Sequence, residues 1–119
     1  TEQCLLNPNR NPHLNRAGIE KALHDYLGVS QVVWLKEGIA GDDTSGHIDD
    51  MTRFVAPDKI LPMVEENPAD INYACLQKNL YLLKQTSFEI IPIPMPCPAT
   101  TPSNNNHQVA RCACATPPF

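Results

Sequence analysis

Charge and hydrophobic periodicity end together near residue 90, and that break limits what the chain folds into. Of its 22 charged residues, 21 precede residue 90, and Arg111 is the exception. Seven of its twelve prolines fall in the remaining stretch. From Pro96 to Phe119 no apolar period survives, and runs such as Asn104-Asn105-Asn106 and Thr116-Pro117-Pro118 take its place. A segment of this kind buries too little surface to offset chain entropy. Residues 96–119 are therefore expected to be a low-complexity, disordered tail, and residues 1–95 the globular part. That part suits one domain and is large enough to bury a core without disulfides.

The globular part alternates strand-like and helix-like patterns. Thr1–Leu6 reads as a strand and Asn7-Pro8-Asn9-Arg10-Asn11-Pro12 as turn chemistry. Asn15 is placed to cap a helix over 16–27. Its apolar set is Ile19, Ala22, Leu23, Tyr26 and Leu27, and Gly28 is the stop. Gln31–Leu35 reads as a short strand. A loop over 36–46 leads into His47–Val55, read as a strand. Pro57-Asp58-Lys59 turns the chain, and Ile60–Val64 returns as the second arm of a hairpin. Asp70 is expected to cap a helix over 71–84 with a stripe of Tyr73, Leu76, Leu80 and Leu83, and Phe88–Ile93 follows as a last strand. The repeated unit of strand pair, helix and strand predicts an α/β fold with a mixed sheet. One full unit (about 47–93) and one partial unit (about 1–35) leave sheet edges uncovered.

Composition removes several function classes. A net charge of −4 with no Lys/Arg cluster argues against nucleic-acid and anionic-membrane partners. No apolar run approaches the roughly 18 residues of a spanning helix. The chain opens without Met and without a signal-like segment, so a fragment is expected. Five cysteines, an odd number with Cys4 and Cys75 in apolar segments, point to a reducing, cytoplasmic setting.

The densest chemistry lies in Gly41-Asp42-Asp43-Thr44-Ser45-Gly46-His47-Ile48-Asp49-Asp50. Two glycines bracket a polar loop that delivers a histidine. On a strand, His47 and Asp49 share a face. A carboxylate there holds a cationic group while the imidazole moves protons. The plainer reading is a solvated turn with an exposed histidine. A metal site lacks a third ligand at suitable spacing. Arg10 reads as a structural side chain pairing with carbonyls or a carboxylate, and Trp34 as core. Asp42 and Asp43 are read as shaping the loop that presents His47. Cys97, His107, Cys112 and Cys114 fit no common zinc spacing.

Residues 1–95 resemble the agmatine deiminases of the guanidino-group-modifying superfamily. The resemblance rests on Thr1 to Pro12, on Leu27-Gly28-Val29 and Val33-Trp34-Leu35, and above all on Gly38 to Asp50. It continues through Arg53 to Pro57, Glu65 to Asp70, Asn72-Tyr73 and Ile91 to Pro96. It implies a five-bladed α/β propeller (a pentein), of which about two blades are present. It implies hydrolysis of agmatine to N-carbamoylputrescine and ammonia, a step toward putrescine and polyamines, with no metal or organic cofactor. A cysteine thiolate attacks the guanidinium carbon, His47 matches the general acid/base, and Asp49 matches a guanidinium-binding carboxylate. Homo-oligomerisation of the full-length protein is a further implication.

The resemblance also exposes a gap. The nucleophilic cysteine of the family follows a glycine-rich segment directly behind a histidine, and no cysteine here has that setting. This chain alone is therefore expected to be inactive. The match breaks after Pro96, as a reading-frame shift or unspliced intron would produce. The rival readings are a peptidylarginine deiminase, a non-catalytic two-blade interaction module and a translated remnant.

Overall fold

The structure is a computed structural model that describes residues 1–96. Three helices and four strands make up the described part, in the order α1 (Glu2–Leu5), α2 (Arg16–Leu27), a 3-10 turn (Ile48–Asp50), β1 (Thr52–Ala56), β2 (Lys59–Val64), α3 (Tyr73–Leu83), β3 (Glu89–Ile90) and β4 (Ile93–Pro94). The expected disorder of 96–119 falls, from residue 97 on, outside the described residues.

β2 is the axis of the sheet. β1 pairs with it antiparallel, with Arg53 opposite Leu61 and Phe54 opposite Ile60, and the register slips between Phe54 and Ala56. On its other side β3 and β4 pair parallel, Ile60 opposite Ile90 and Met63 opposite Ile93. Parallel neighbours need a crossover, and α3 supplies it. The α/β class and the mixed sheet expected from the sequence are thus found. The single strand expected over Phe88–Ile93 is instead two short pairs. Pro92 has no N–H to donate, and the ladder breaks around it.

Burial alternates along β2, with Ile60, Pro62 and Val64 inward. Ile60 meets Leu83 of α3 and Leu35, and Val33, Leu82, Phe88 and Ile90 pack around them. Leu76 and Leu83 are the most completely buried large side chains. Each contributes about 1.5–3 kcal/mol of apolar burial.

Two expected strands are absent. Thr1–Leu6 is a one-turn helix, because the Thr1 hydroxyl accepts the Cys4 N–H at 3.1 Å and caps it. Gln31–Leu35 joins no ladder. The carbonyls of Leu35 and Lys36 instead accept the Glu2 and Gln3 N–H groups at 2.8 and 3.0 Å. The first residues of α1 therefore donate the hydrogen bonds that these carbonyls receive. Glu2 fastens the join, with Lys36 Nζ at 2.7 Å and Arg16 Nη1 at 3.2 Å. These cations hold the Glu2 carboxyl below its ordinary range, the Lys36 hydrogen bond first. Trp34 is core, as expected, and its indole N–H donates to Glu20 of α2 at 2.6 Å.

Candidate functional site

The loop that carries the histidine is built around one carboxylate. Asp42 Oδ1 accepts the Thr44 N–H at 2.6 Å and the Thr44 hydroxyl. Its Oδ2 accepts the Gly46 N–H at 2.6 Å and the His47 N–H at 3.2 Å. These donors, the Thr44 hydroxyl first, bring the Asp42 pKa down to about 2. Asp42 is thus a loop hub, and the reading of it as a shaping residue stands.

The chain reverses at Ser45 and Gly46, both left-handed, with φ 66° and 80°. The close approach also requires glycine: a Cβ on Gly38 would lie 2.3 Å from Gly46 Cα. The Gln3 side chain accepts the Gly38 N–H at 2.8 Å, and the Thr1 hydroxyl donates to the Gly46 carbonyl.

Behind the loop, α3 holds the incoming segment with two buried asparagines. Asn79 Oδ1 accepts the Lys36 N–H at 2.9 Å, and its Nδ2 donates to the Glu37 carbonyl at 2.8 Å. Asn72 Oδ1 accepts the Ala40 N–H at 2.7 Å. The expected cap needs correction here. Asn72, not Asp70, is the N-cap residue of α3, and its side chain serves the loop rather than the helix. Asp70 accepts the Asn72 N–H at 2.8 Å in a local turn.

His47 and Asp49 are brought together, but not on a strand. His47–Val55 was expected to be one strand. Instead Ile48–Asp50 forms a 3-10 turn, closed by the Met51 N–H on the Ile48 carbonyl at 3.1 Å, and β1 starts at Thr52. The left-handed pair just before His47 sets up this tighter course. His47 Nδ1 lies 3.8 Å from Asp49 Oδ1, and Arg53 Nη2 lies 3.7 Å from Asp49 Oδ2. Both members remain accessible, with 37% and 49% of their side-chain surfaces exposed. Water or a small cation can therefore reach both.

Arg10 belongs to this cluster. Its Nη2 donates to the Thr44 carbonyl at 2.7 Å, its Nη1 sits 2.9 Å from His47 Nε2, and Nη1 also lies 3.5 Å from Cys4 Sγ. The carbonyl contact was expected from the turn motif. The histidine contact was not, since nothing local links residues 10 and 47.

The two described cysteines differ from an activated nucleophile. Cys4 is buried. The Cys75 thiol donates toward the Glu37 and Gly38 carbonyls, and burial, then Glu37, pushes its pKa up. Reactive thiolates sit in an electropositive, partly exposed setting, the opposite of that of Cys75; Cys4 has Arg10 beside it but is buried. Among the described residues, no group of three or more His, Cys, Asp or Glu side chains is arranged to hold a metal ion. Cys97, His107, Cys112 and Cys114 lie outside the described residues. No helix among those described is long and apolar enough to cross a membrane.

A sequence profile of the Porphyromonas-type peptidyl-arginine deiminases matches residues 1–115, so the match does not stop at Pro96 as expected from the sequence. The chain belongs to that family. Over 104 residues it is 41% identical to the agmatine deiminase of Pseudomonas fluorescens, which covers 82% of this chain and 28% of that protein. Among solved structures it is similar to a cysteine-to-serine variant of the C. jejuni agmatine deiminase with substrate bound. The TM-score is 0.76 at 41% identity, over 80% of this chain and 29% of that one. The agmatine deiminase of Enterococcus faecalis gives a TM-score of 0.75 at 35% identity, over 80% and 28%. The chain therefore spans less than a third of the length of these family members.

Proposed function

We propose that this chain supplies the proton-transfer corner of an agmatine deiminase. The observation that carries the reading is the pairing of His47 Nδ1 with Asp49 Oδ1, 3.8 Å apart on an accessible, hydrogen-bonded loop. The family membership and the names of the relatives supply the reaction class. In this reading Asp49 receives the planar guanidinium cation, whose N–H donors suit a carboxylate. His47 takes up the proton released as the attacking thiol becomes a thiolate, passes it to departing ammonia, and then takes a proton from the attacking water. The described residues would form about two blades of a five-bladed propeller. The setting would be cytoplasmic and the product on the route to putrescine. Agmatine is preferred to peptidyl-arginine because the curated relatives carry agmatine deiminase names, whereas the similar solved structures include both agmatine deiminases and one named as a peptidyl-arginine deiminase.

The nucleophile is not among the described cysteines in this reading. Cys75 is held as a thiol by its surroundings. Covalent attack on the guanidinium carbon then needs a thiolate from elsewhere. The purified chain is accordingly expected to release no ammonia from agmatine. Ammonia release that disappears in His47→Ala would overturn the missing-nucleophile reading. Residues 1–96 grafted in place of the matching segment of a full-length agmatine deiminase test the positive half. A folded chimera should turn over agmatine and lose activity on His47→Ala. Within it, Asp49→Asn should weaken substrate use far more than Asp50→Asn. Equal losses, or a folded chimera indifferent to His47, would sink the proposed roles.

A further inference from the structure

Arg10 and His47 meet across 37 residues of sequence, and the contact has a chemical consequence. A guanidinium has five N–H donors and no acceptor. The Nη1 group at 2.9 Å from His47 Nε2 therefore donates, and Nε2 must carry a lone pair. A neutral imidazole with a lone pair on Nε2 has its proton on Nδ1. That nitrogen is the one facing Asp49, 3.8 Å away. Arg10 is itself fixed, because its Nη2 donates to the Thr44 carbonyl at 2.7 Å. Thr44 is tied in turn to Asp42. The fork therefore reads two things at once, the loop backbone and the ring edge.

We propose that Arg10 is a positioning residue that sets the resting tautomer of His47, with the proton on Nδ1 toward Asp49 and Nε2 as the site of proton uptake. When Nε2 takes a proton, it loses the lone pair that Arg10 used. The Nη1 bond then breaks, while the Nη2 bond to Thr44 stays and keeps the guanidinium at hand. Return of the proton to a leaving group restores the bond. The charged groups around the ring are Arg10 at Nε2, Asp49 at Nδ1, Arg53 against Asp49, and Asp42 on the His47 main-chain N–H. The catalytic meaning of this arrangement rests on the reading of His47 as the proton carrier, but the tautomer does not.

Long-range proton–nitrogen NMR correlation on the full chain, with the ring neutral, tests it without any activity. The wild-type chain should show His47 with its proton on Nδ1. Arg10→Ala should move the proton to Nε2, a roughly tenfold or larger swing in tautomer ratio, as removal of a charge-assisted hydrogen bond predicts. Arg10→Lys keeps the charge but loses the fork, so it should not restore the wild-type ratio. A wild-type proton on Nε2 overturns the proposal without recourse to any variant, which covers the case in which Arg10→Ala fails to fold. An unchanged ratio in folded Arg10→Ala overturns it too, since Asp49 alone would then set the tautomer. Failure of the deiminase reading shows in ammonia release, so the two failures are distinguishable.

Discussion

The two longer helices teach opposite lessons. α2 follows every local rule. Asn15 accepts the Gly18 N–H at 2.9 Å, Gly28 closes the helix in a left-handed conformation, and Arg16–Glu20 and Lys21–Asp25 pair one turn apart. Yet α2 buries only Ile19, and Tyr26 and Leu27 of its expected apolar set stay 87% and 69% exposed. α3 has no side-chain cap at its N-terminus, but it buries Leu76, Asn79 and Leu83. It covers β2, joins parallel strands and holds the loop segment ahead of His47. Local capping makes a helix legible, and burial decides whether the fold depends on it.

The sharpest way to break this contrast is at Leu83. Leu83→Ala removes a side chain shared with Leu35 and Ile60. A loss of about 2–5 kcal/mol is expected, read from urea unfolding. A loss near zero would show that α3 is not the keystone. Next is Asn79→Ala, which strands the Lys36 N–H and the Glu37 carbonyl. It should cost about 1–3 kcal/mol and raise amide exchange at Lys36 more than in α2. Uniform exchange across both would deny the asparagine its specific hold.

On α2 the expected effects are smaller. Asn15→Ala should cost about 1 kcal/mol through the lost cap, while Tyr26→Ser should stay within about 0.5 kcal/mol. A larger loss at Tyr26 would mean that its face is covered in solution. The smallest effect on global stability separates the loop from both helices by acid. Asp42 is depressed in the folded state, so its contribution is full above the ordinary carboxylate pKa of about 3.9 and is lost as pH falls through about 2. Gly46 and His47 amide signals should shift in that window while α3 signals hold. Asp42→Asn should abolish that titration, and its persistence would place the transition on another carboxyl group.

Much of the fold was readable from neighbouring residues. The hairpin, both long helices and the loop hub use contacts within a few positions, such as Asp42 with Thr44 or Asn15 with Gly18. The misread segments are those whose partners lie far off. Thr1–Leu6 carries a strand-like pattern, yet its hydroxyl cap and its pairing to Leu35 and Lys36 make it a helix turn. Gln31–Leu35 was read as a strand, but its hydrogen-bond partner is that turn. The burial of Asn72 and Asn79 had no local signal, since a polar residue on a helix reads as solvent-facing until its partners are seen.

The candidate site divides the same way. His47 and Asp49 stand out through the Gly-His-x-Asp context, and the structure brings the two side chains to 3.8 Å. The strand geometry invoked for the pair was wrong, because Ser45 and Gly46 turn left-handed and feed a 3-10 turn instead.

By itself, the sequence determined the α/β class, the limits of α2 and the loop that carries the histidine. These follow from short-range sterics and hydrogen bonds, which travel with the local residues. Only the tertiary structure decided that Arg10 faces His47, that α3 asparagines hold the loop, and which helix the core needs. Those contacts join residues 32 to 43 positions apart, and no local pattern specifies which distant donor meets which acceptor.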